Sequence, residues 1–317
     1  MIGLVVAVPV RVPRRPARED TNGTRHMSDH ISHIAASETG NLFVTAAFEH
    51  HLTIWSLVDK RKVTEFDSIM DFGGRRLAVS NGEAPVVIAA AYYKHGIAAY
   101  TCNTGKELWR RKDLKKCQTL RVISDTHAMA SFEGANCEVI RLSDGKSHKG
   151  PRGIDGIEGT DTKGRVIVST KVRHAGPDES RICLWRNGTM GFEWKSPPAI
   201  RAVHTGAASP RQTIVTDMNG EAAAYDHSGN QLWRHRYGRI VKLAWVSGTD
   251  FFAGAIYPDK SGECLRLCVF NHNGSVVHTH SLEGVAVEAF SGDGKYFFTG
   301  KGEVRALPTM DLVWRFR

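Results

Sequence analysis

Two sets of turn residues recur along this 317-residue chain with one shared period, and this is the feature that most limits its possible folds. The first set is Asp59-Lys60, Thr104-Gly105, Asp144-Gly145, Asn187-Gly188, Ser228-Gly229, Asn273-Gly274 and Met310-Asp311, with steps of 37 to 45 residues. The second lies between them: Thr39-Gly40, Asn81-Gly82, Ser124-Asp125, Lys163-Gly164, Pro210-Arg211, Ser247-Gly248 and Asp293-Gly294, with steps of 37 to 47. Gly, Asn and Asp tolerate the positive φ that tight hairpins demand. Two interleaved hairpin series of equal period describe one supersecondary unit repeated seven times.

Short runs of β-branched and aromatic residues fill the spaces between turns. Unit one offers His33–Ser37, Leu42–Phe48, Leu52–Leu57 and Val63–Phe66. Unit five offers Ala199–His204, Gln212–Asp217, Glu221–Tyr225 and Gln231–His235; unit seven offers Val285–Phe290, Lys295–Thr299, Glu303–Leu307 and Leu312–Phe316. Each unit therefore holds four strands and no amphipathic helix. Such a sheet cannot bury both of its faces alone. The expected fold is all-β: a seven-bladed β-propeller of four antiparallel strands per blade over residues 28–317, about 41 residues per blade.

Residues 1–27 read as a flexible basic arm. Their apolar run, Ile2 to Val10, is about half the length of a spanning helix. Charge follows that run rather than preceding it, unlike an export signal. The arm holds five Arg against Glu19 and Asp20, which leaves +6 of the net +9 on the propeller. Hydrophobic residues at 41% suffice for a core, and six cysteines without a C-x-x-C pair suggest a reducing, cytoplasmic compartment.

Trp109 follows Thr104-Gly105, and Trp233 follows Ser228-Gly229 at the same offset. Trp194 and Trp314 hold similar places after their turns. An outer-strand indole can cover the gap between neighbouring blades, so these four are assigned to inter-blade packing. The pattern resembles the docking motif of quinoprotein-like propellers, Ala-x-Asp-x-x-Thr-Gly-x-x-x-Trp. Ala99, Thr104, Gly105 and Trp109 match it, as do Ala223, Ser228, Gly229 and Trp233, with Thr101 and Tyr225 in the Asp place. Trp55 and Trp185 fall on third strands, where WD-repeat propellers carry their Trp, although the Trp-Asp dipeptide is absent. Over about 290 residues the chain resembles the broad WD-repeat and quinoprotein-like superfamily. That resemblance implies the propeller. It does not carry over a cofactor, because the quinoprotein dehydrogenases have eight blades and a vicinal disulfide, whereas Cys264 and Cys268 are separated here.

No phosphate loop, nucleophile elbow or His-Glu-x-x-His occurs. His278 and His280 could share a strand face, but without a carboxylate or thiol beside them they read as exposed strand decoration, as do His30 and His33. Cys102, Cys137, Cys183, Cys264 and Cys268 fall on or just past third strands and read as buried fillers. No catalytic, cofactor or metal residues are assigned.

Loops between second and third strands, and between blades, emerge on one face of a propeller. Here they carry His50, His51, Lys94, His95, Arg173, His174 and Lys260, with Lys116, Arg152 and Arg239 from the inter-blade connections. His50, His95 and His174 hold equivalent places in three blades. The expectation is a non-catalytic scaffold whose basic, His- and Tyr-bearing mouth receives an acidic protein segment. The alternatives are an anionic-polymer binder, with nucleic acid the less expected partner because acidic residues interrupt the positive field, and a small-ligand or hydrolytic enzyme with its pocket at the mouth. A convergent carboxylate pair near the channel would favour the enzyme.

Overall fold

The computed structural model describes residues 31–47, 50–71, 76–134, 136–161, 163–171, 180–197, 203–257, 266–282 and 286–316. It forms seven four-stranded antiparallel sheets, each built from consecutive strands in sequence order, with no helix among the described residues. The innermost strands are Ile31–Ala36, Leu77–Val79, Cys117–Ser124, Ile154–Thr160, Val203–Ala208, Arg239–Trp245 and Val287–Phe290. The outermost are Arg61–Asp67, Glu107–Arg111, Ser147–Lys149, Phe192–Lys195, Gln231–Arg236, Val276–Ser281 and Leu312–Arg315. The blades are numbered 1 to 7 in chain order.

Turn chemistry explains the repeat. All seven third-to-fourth-strand turns contain a residue at positive φ: Gly105, Gly145, Gly188, Gly229 and Gly274, with Lys60 at 49° and Met310 at 68° where a side chain accepts the same conformation. Asx side chains hold several of these hairpins. Asp226 Oδ1 accepts the N–H groups of Ser228 and Asn230 at 2.9 and 2.8 Å, and Asn271 Oδ1 accepts those of Asn273 and Ser275 at 3.0 Å each.

Apolar residues on second and third strands meet those of the neighbouring blade, so the cores lie between sheets. One such layer joins Val44, Leu52 and Ile54 of blade 1 to Leu77, Val87 and Ala98 of blade 2. Trp109 donates from Nε1 to the Leu142 carbonyl of blade 3 at 2.7 Å. Gly145 of that blade lies under the indole, and a Cβ there would stand 2.8 Å from the ring. Trp233 repeats the arrangement on blade 6, donating to the His272 carbonyl at 2.6 Å. Trp194, 7% exposed, packs against Tyr225 of blade 5 with centroids 6.3 Å apart.

Blade 7 comes entirely from the C-terminal end of the described chain and blade 1 from its N-terminal end. The ring therefore closes without a shared strand, by side-chain packing. Phe43 and Trp55 of blade 1 meet Phe298, Trp314 and Phe316 of blade 7, with Phe43 4.9 Å from both Phe298 and Phe316 and Trp55 5.9 Å from Trp314. Two backbone bonds cross the same seam, from Gly292 N to Ser37 O at 3.3 Å and from Asp293 N to Glu38 O at 2.7 Å.

The first strand of blade 5 departs from expectation. It runs Val203–Ala208, later than the predicted Ala199–His204. The Ser209 turn decides this: Ser209 Oγ accepts the N–H groups of Arg211 and Gln212 at 3.2 and 3.1 Å. That tight hairpin sets Ala208 opposite Thr213, so small residues unremarkable in sequence complete the ladder. The described cysteines 102, 117, 137, 183 and 268 are buried free thiols; Cys264 lies outside the described residues.

Candidate functional site

Strand order places the second-to-third loops and the inter-blade connections on one face. Their backbones interlock there: Ser68 N donates to His50 O at 2.9 Å, Lys116 N to Tyr92 O at 2.7 Å and Tyr237 N to Gly220 O at 3.0 Å. His50, Lys94, His95, Lys116, Arg152 and Arg239 are all exposed on this face. Arg173, His174 and Lys260 lie outside the described residues. Among the described residues, Lys94, Arg152 and Arg239 have no ion-pair partner. Lys116 does, with its Nζ 2.9 Å from Glu133 Oε2, and Glu133 also accepts from the Tyr92 hydroxyl at 3.2 Å. His51 opens a third strand and sits 3.1 Å from Asp67 and 3.7 Å from Glu65.

His50 and His95 come together away from the axis. They line a cavity of about 240 Å³ between blades 1 and 2 with Asp67, Ser68, Ile69, Tyr100, Glu107 and Arg110. The Tyr100 hydroxyl accepts the Ile69 N–H at 3.1 Å, and Glu107 is ion-paired with Arg110. His50 sits at φ 70°, a conformation uncommon for a non-glycine residue. The pocket thus holds both signs of charge and is separate from the channel.

The axis itself carries a second set of charges, which the sequence reading did not assign. At the end reached first by the inner strands stand His33 of blade 1, Arg76 of blade 2 and Lys242 of blade 6. Burial lowers the pKa of His33, and the positive charges of Lys242 on blade 6 and of Arg76 on the adjacent blade 2 lower it further. Arg76 pairs with Asp71 at 3.2 Å and lies 4.7 Å over the Tyr92 ring. Lys242 Nζ donates to the backbone carbonyl of Glu288.

At the opposite end, Glu38 in the first turn of blade 1 reaches across to blade 4, accepting from Thr160 Oγ1 at 3.5 Å. Water still reaches Glu38, but protein crowds it. That crowding raises its pKa, and the charges of Asp293 and Asp125 raise it further, against the Thr160 hydrogen bond. Asp293 is held by its own turn, accepting from Ser291 Oγ at 2.7 Å and Lys295 N at 3.0 Å.

Register irregularities explain how charge enters apolar strands. The inner strand carries one between Ile31 and His33, between Ile240 and Lys242, and between Val287 and Ala289, with counterparts in blades 3, 4 and 5. An extra residue re-aims the side chain that follows it. A basic residue inside an inner strand, His33 in ISHIAA and Lys242 in RIVKLAW, was the available signal.

Burial pushes the Cys102, Cys117 and Cys137 thiols up to about 12, so they stay protonated and weakly nucleophilic at neutral pH. Among the described residues, no group of three or more His, Cys, Asp or Glu is placed to hold a metal ion, and no helix is long and apolar enough to cross a membrane.

No family model matches the chain, and no curated protein does. Solved structures do. The chain is similar to BamB from Moraxella catarrhalis at 12% identity and a TM-score of 0.53, covering 84% of this chain and 79% of that one. It is also similar to the computationally designed Ika8 protein at 15% identity and a TM-score of 0.59, covering 90% and 86%. At these identities the likeness concerns the fold alone. That fold is compatible with a protein-interaction scaffold.

Proposed function

We propose that this propeller is a non-catalytic interaction scaffold that captures an acidic protein segment at the cationic end of its channel, in a reducing, cytoplasmic setting. One observation carries the reading: Lys94, Arg152 and Arg239 are exposed on one face without described ion-pair partners, and the charge of Lys242 on an inner strand adds to theirs. Unpaired cations around a concave, protein-walled mouth attract an anionic partner and raise its encounter rate. The Trp109 and Trp233 docking contacts support a place among tryptophan-docked, quinoprotein-like propellers.

Binding of a fluorescent poly-glutamate peptide to the full chain tests this. Lys94→Glu with Arg239→Glu is expected to weaken it about tenfold or more, with melting unchanged. An unaltered affinity removes the cationic mouth from the function. Single-stranded DNA is the competitor probe; tighter binding of DNA, falling steeply with salt, would instead favour the polymer reading.

A second reading rests on Glu38. A carboxyl with a raised pKa beside Asp293 on the channel is an arrangement suited to proton donation in hydrolysis. Turnover of simple ester or glycoside substrates that disappears in Glu38→Gln, while peptide capture persists, would favour this enzyme over the scaffold.

A further inference from the structure

Ten large apolar side chains are exposed among the described residues. Seven of them sit on outer strands or on third-to-fourth-strand turns, at the rim of the disc or on its other face. Single apolar residues in such places are ordinary. The other three, Tyr93, Met218 and Tyr257, belong to second-to-third-strand hairpins, on the face that carries the unpaired cations. Tyr93 is 72% exposed, Tyr257 44% and Met218 40%.

Two of the three share one patch with a cation. Arg239 begins the inner strand of blade 6 and stands opposite Tyr257, the last residue of the second strand. Residues directly opposite in an antiparallel ladder project to the same face of the sheet, so the guanidinium and the phenol ring leave it on one side. Met218 reaches this place from blade 5. Its hairpin is clamped to the connection that leads into Arg239: Tyr237 N donates to Gly220 O at 3.0 Å, and a Cβ on Gly220 would stand 2.7 Å from the Gly238 carbonyl carbon. The acids beside Met218 are engaged within their own blade. Asp217 Oδ1 accepts the N–H groups of Asn219 and Glu221 at 2.8 and 3.0 Å, and Glu221 is ion-paired with Arg234. Arg239 keeps its charge free of any described ion pair. On blade 2 the same pairing recurs along the chain, with exposed Tyr93 next to exposed Lys94.

We propose that Met218, Arg239 and Tyr257 form an anchoring patch for an acidic segment that also carries apolar side chains, with a carboxylate taken by Arg239 and a neighbouring Phe or Leu seated against Tyr257 and Met218. This rests on the acidic-segment capture proposed above and adds which acidic segments are selected. Charge complementarity fixes one half of the occupant, because an unpaired guanidinium at the centre of the patch takes a carboxylate, with which it can make two parallel hydrogen bonds. The flanking side chains fix the other half. A purely acidic segment would leave the ring and the thioether facing water. Tyr and Arg are among the residues that most often carry interface energy, and Met adapts to apolar side chains of varied shape.

Fluorescence anisotropy with two labelled peptides of equal length and charge tests the proposal; in one the glutamates are separated by Ser, in the other by Phe. The full chain is expected to bind the Phe peptide about tenfold tighter, the gain from burying part of one ring. Met218→Ala with Tyr257→Ala should remove that preference and leave the affinity for the Ser peptide unchanged. Arg239→Glu should weaken both peptides, and Tyr257→Phe should keep the preference. Leu232→Ala, at an exposed outer-strand position of blade 5, should change neither affinity. Every substituted position is exposed, so melting should match the parent. Equal parental affinities for the two peptides overturn this proposal and leave acidic capture standing, whereas a parent that binds neither peptide overturns the capture and the patch together. A preference that survives the double substitution, or that Leu232→Ala also removes, overturns the patch. So does single-stranded DNA that binds tighter than either peptide and is weakened by Tyr257→Ala, since that assigns the ring to base stacking.

Discussion

The two ends of the channel gather opposite charges, and each shows what like charge costs its neighbours. At one end Lys242 and Arg76 add to burial in lowering the pKa of His33. At the other, Asp293 and Asp125 add to crowding in raising that of Glu38. Charges scattered at random over seven blades would tend to pair across the axis. Here two inner strands carry His33 and Lys242, whereas the turns after the inner strands of blades 1 and 7 carry Glu38 and Asp293. The groups around His33 and around Glu38 therefore differ in the sign of their charged neighbours, although Asp71 pairs with Arg76 at one end and Arg121 acts on Glu38 at the other. That difference favours an anionic partner on the face bearing the His and Lys loops.

The largest expected effect destroys both ends together. They face one channel only while blades 7 and 1 stay closed, and closure rests on the rings around Phe43 rather than on a shared strand. Phe43 is fully buried. Phe43→Ala should therefore lower the unfolding free energy by about 3–5 kcal/mol, measured by denaturant titration. A loss under about 1 kcal/mol would mean that the backbone bonds at Ser37 and Glu38 suffice. Trp109→Ala strikes a seam whose blades are consecutive in the chain. Its ring is only half-buried, so about 2–3 kcal/mol is expected, with peptide capture retained. Equal losses from the two variants would erase the distinction between a closing seam and a consecutive one.

The repeat was readable because hairpins need particular residues. Positive φ recurs at Gly105, Gly145, Gly188, Gly229 and Gly274, where turn pairs had marked the units. Strand limits were less readable where small residues fill a ladder, as at Gly206 to Ala208. The site was harder still. Loop membership placed His50 and His95 on a common face, but radial position depends on which strand a loop closes, and they line an inter-blade pocket instead. By sequence His33 reads as exposed strand decoration, whereas the inner strand half-buries it. Its meaning comes from Arg76 on the adjacent blade and Lys242 on blade 6, both distant in sequence, whose charges reach it in the folded ring. A single chain read by local pattern carries no sign of such convergence.

Removing one cation sharpens the contrast at the basic end. Lys242→Gln keeps a donor of similar length and deletes the charge. The His33 pKa should then rise toward its ordinary value, as read by NMR titration of the imidazole. The sign for stability follows. A histidine whose folded pKa is depressed loses stability as pH falls below its unfolded value, because the unfolded chain takes up the proton first. The parent should therefore weaken on acidification through that range more than Lys242→Gln does. Coincident His33 titrations in the two proteins would mean that burial alone sets the shift.

The smallest effect belongs to the acidic end. Glu38 has a raised folded pKa, so in the window between its ordinary value and the raised one the folded state holds more protons than the unfolded state. Stability contributed by the protonated form is complete below that window and is lost as pH rises through it. Glu38→Gln mimics the protonated carboxyl at every pH. The variant should therefore be slightly more stable than the parent at about pH 7 and indistinguishable from it below about pH 4, measured by paired denaturant titrations. Solvent access to Glu38 keeps the difference small. The opposite ordering, with the parent more stable at neutral pH, would show that the ionised carboxylate is held by a favourable partner, and the acidic end would then be a paired site rather than a crowd of like charges.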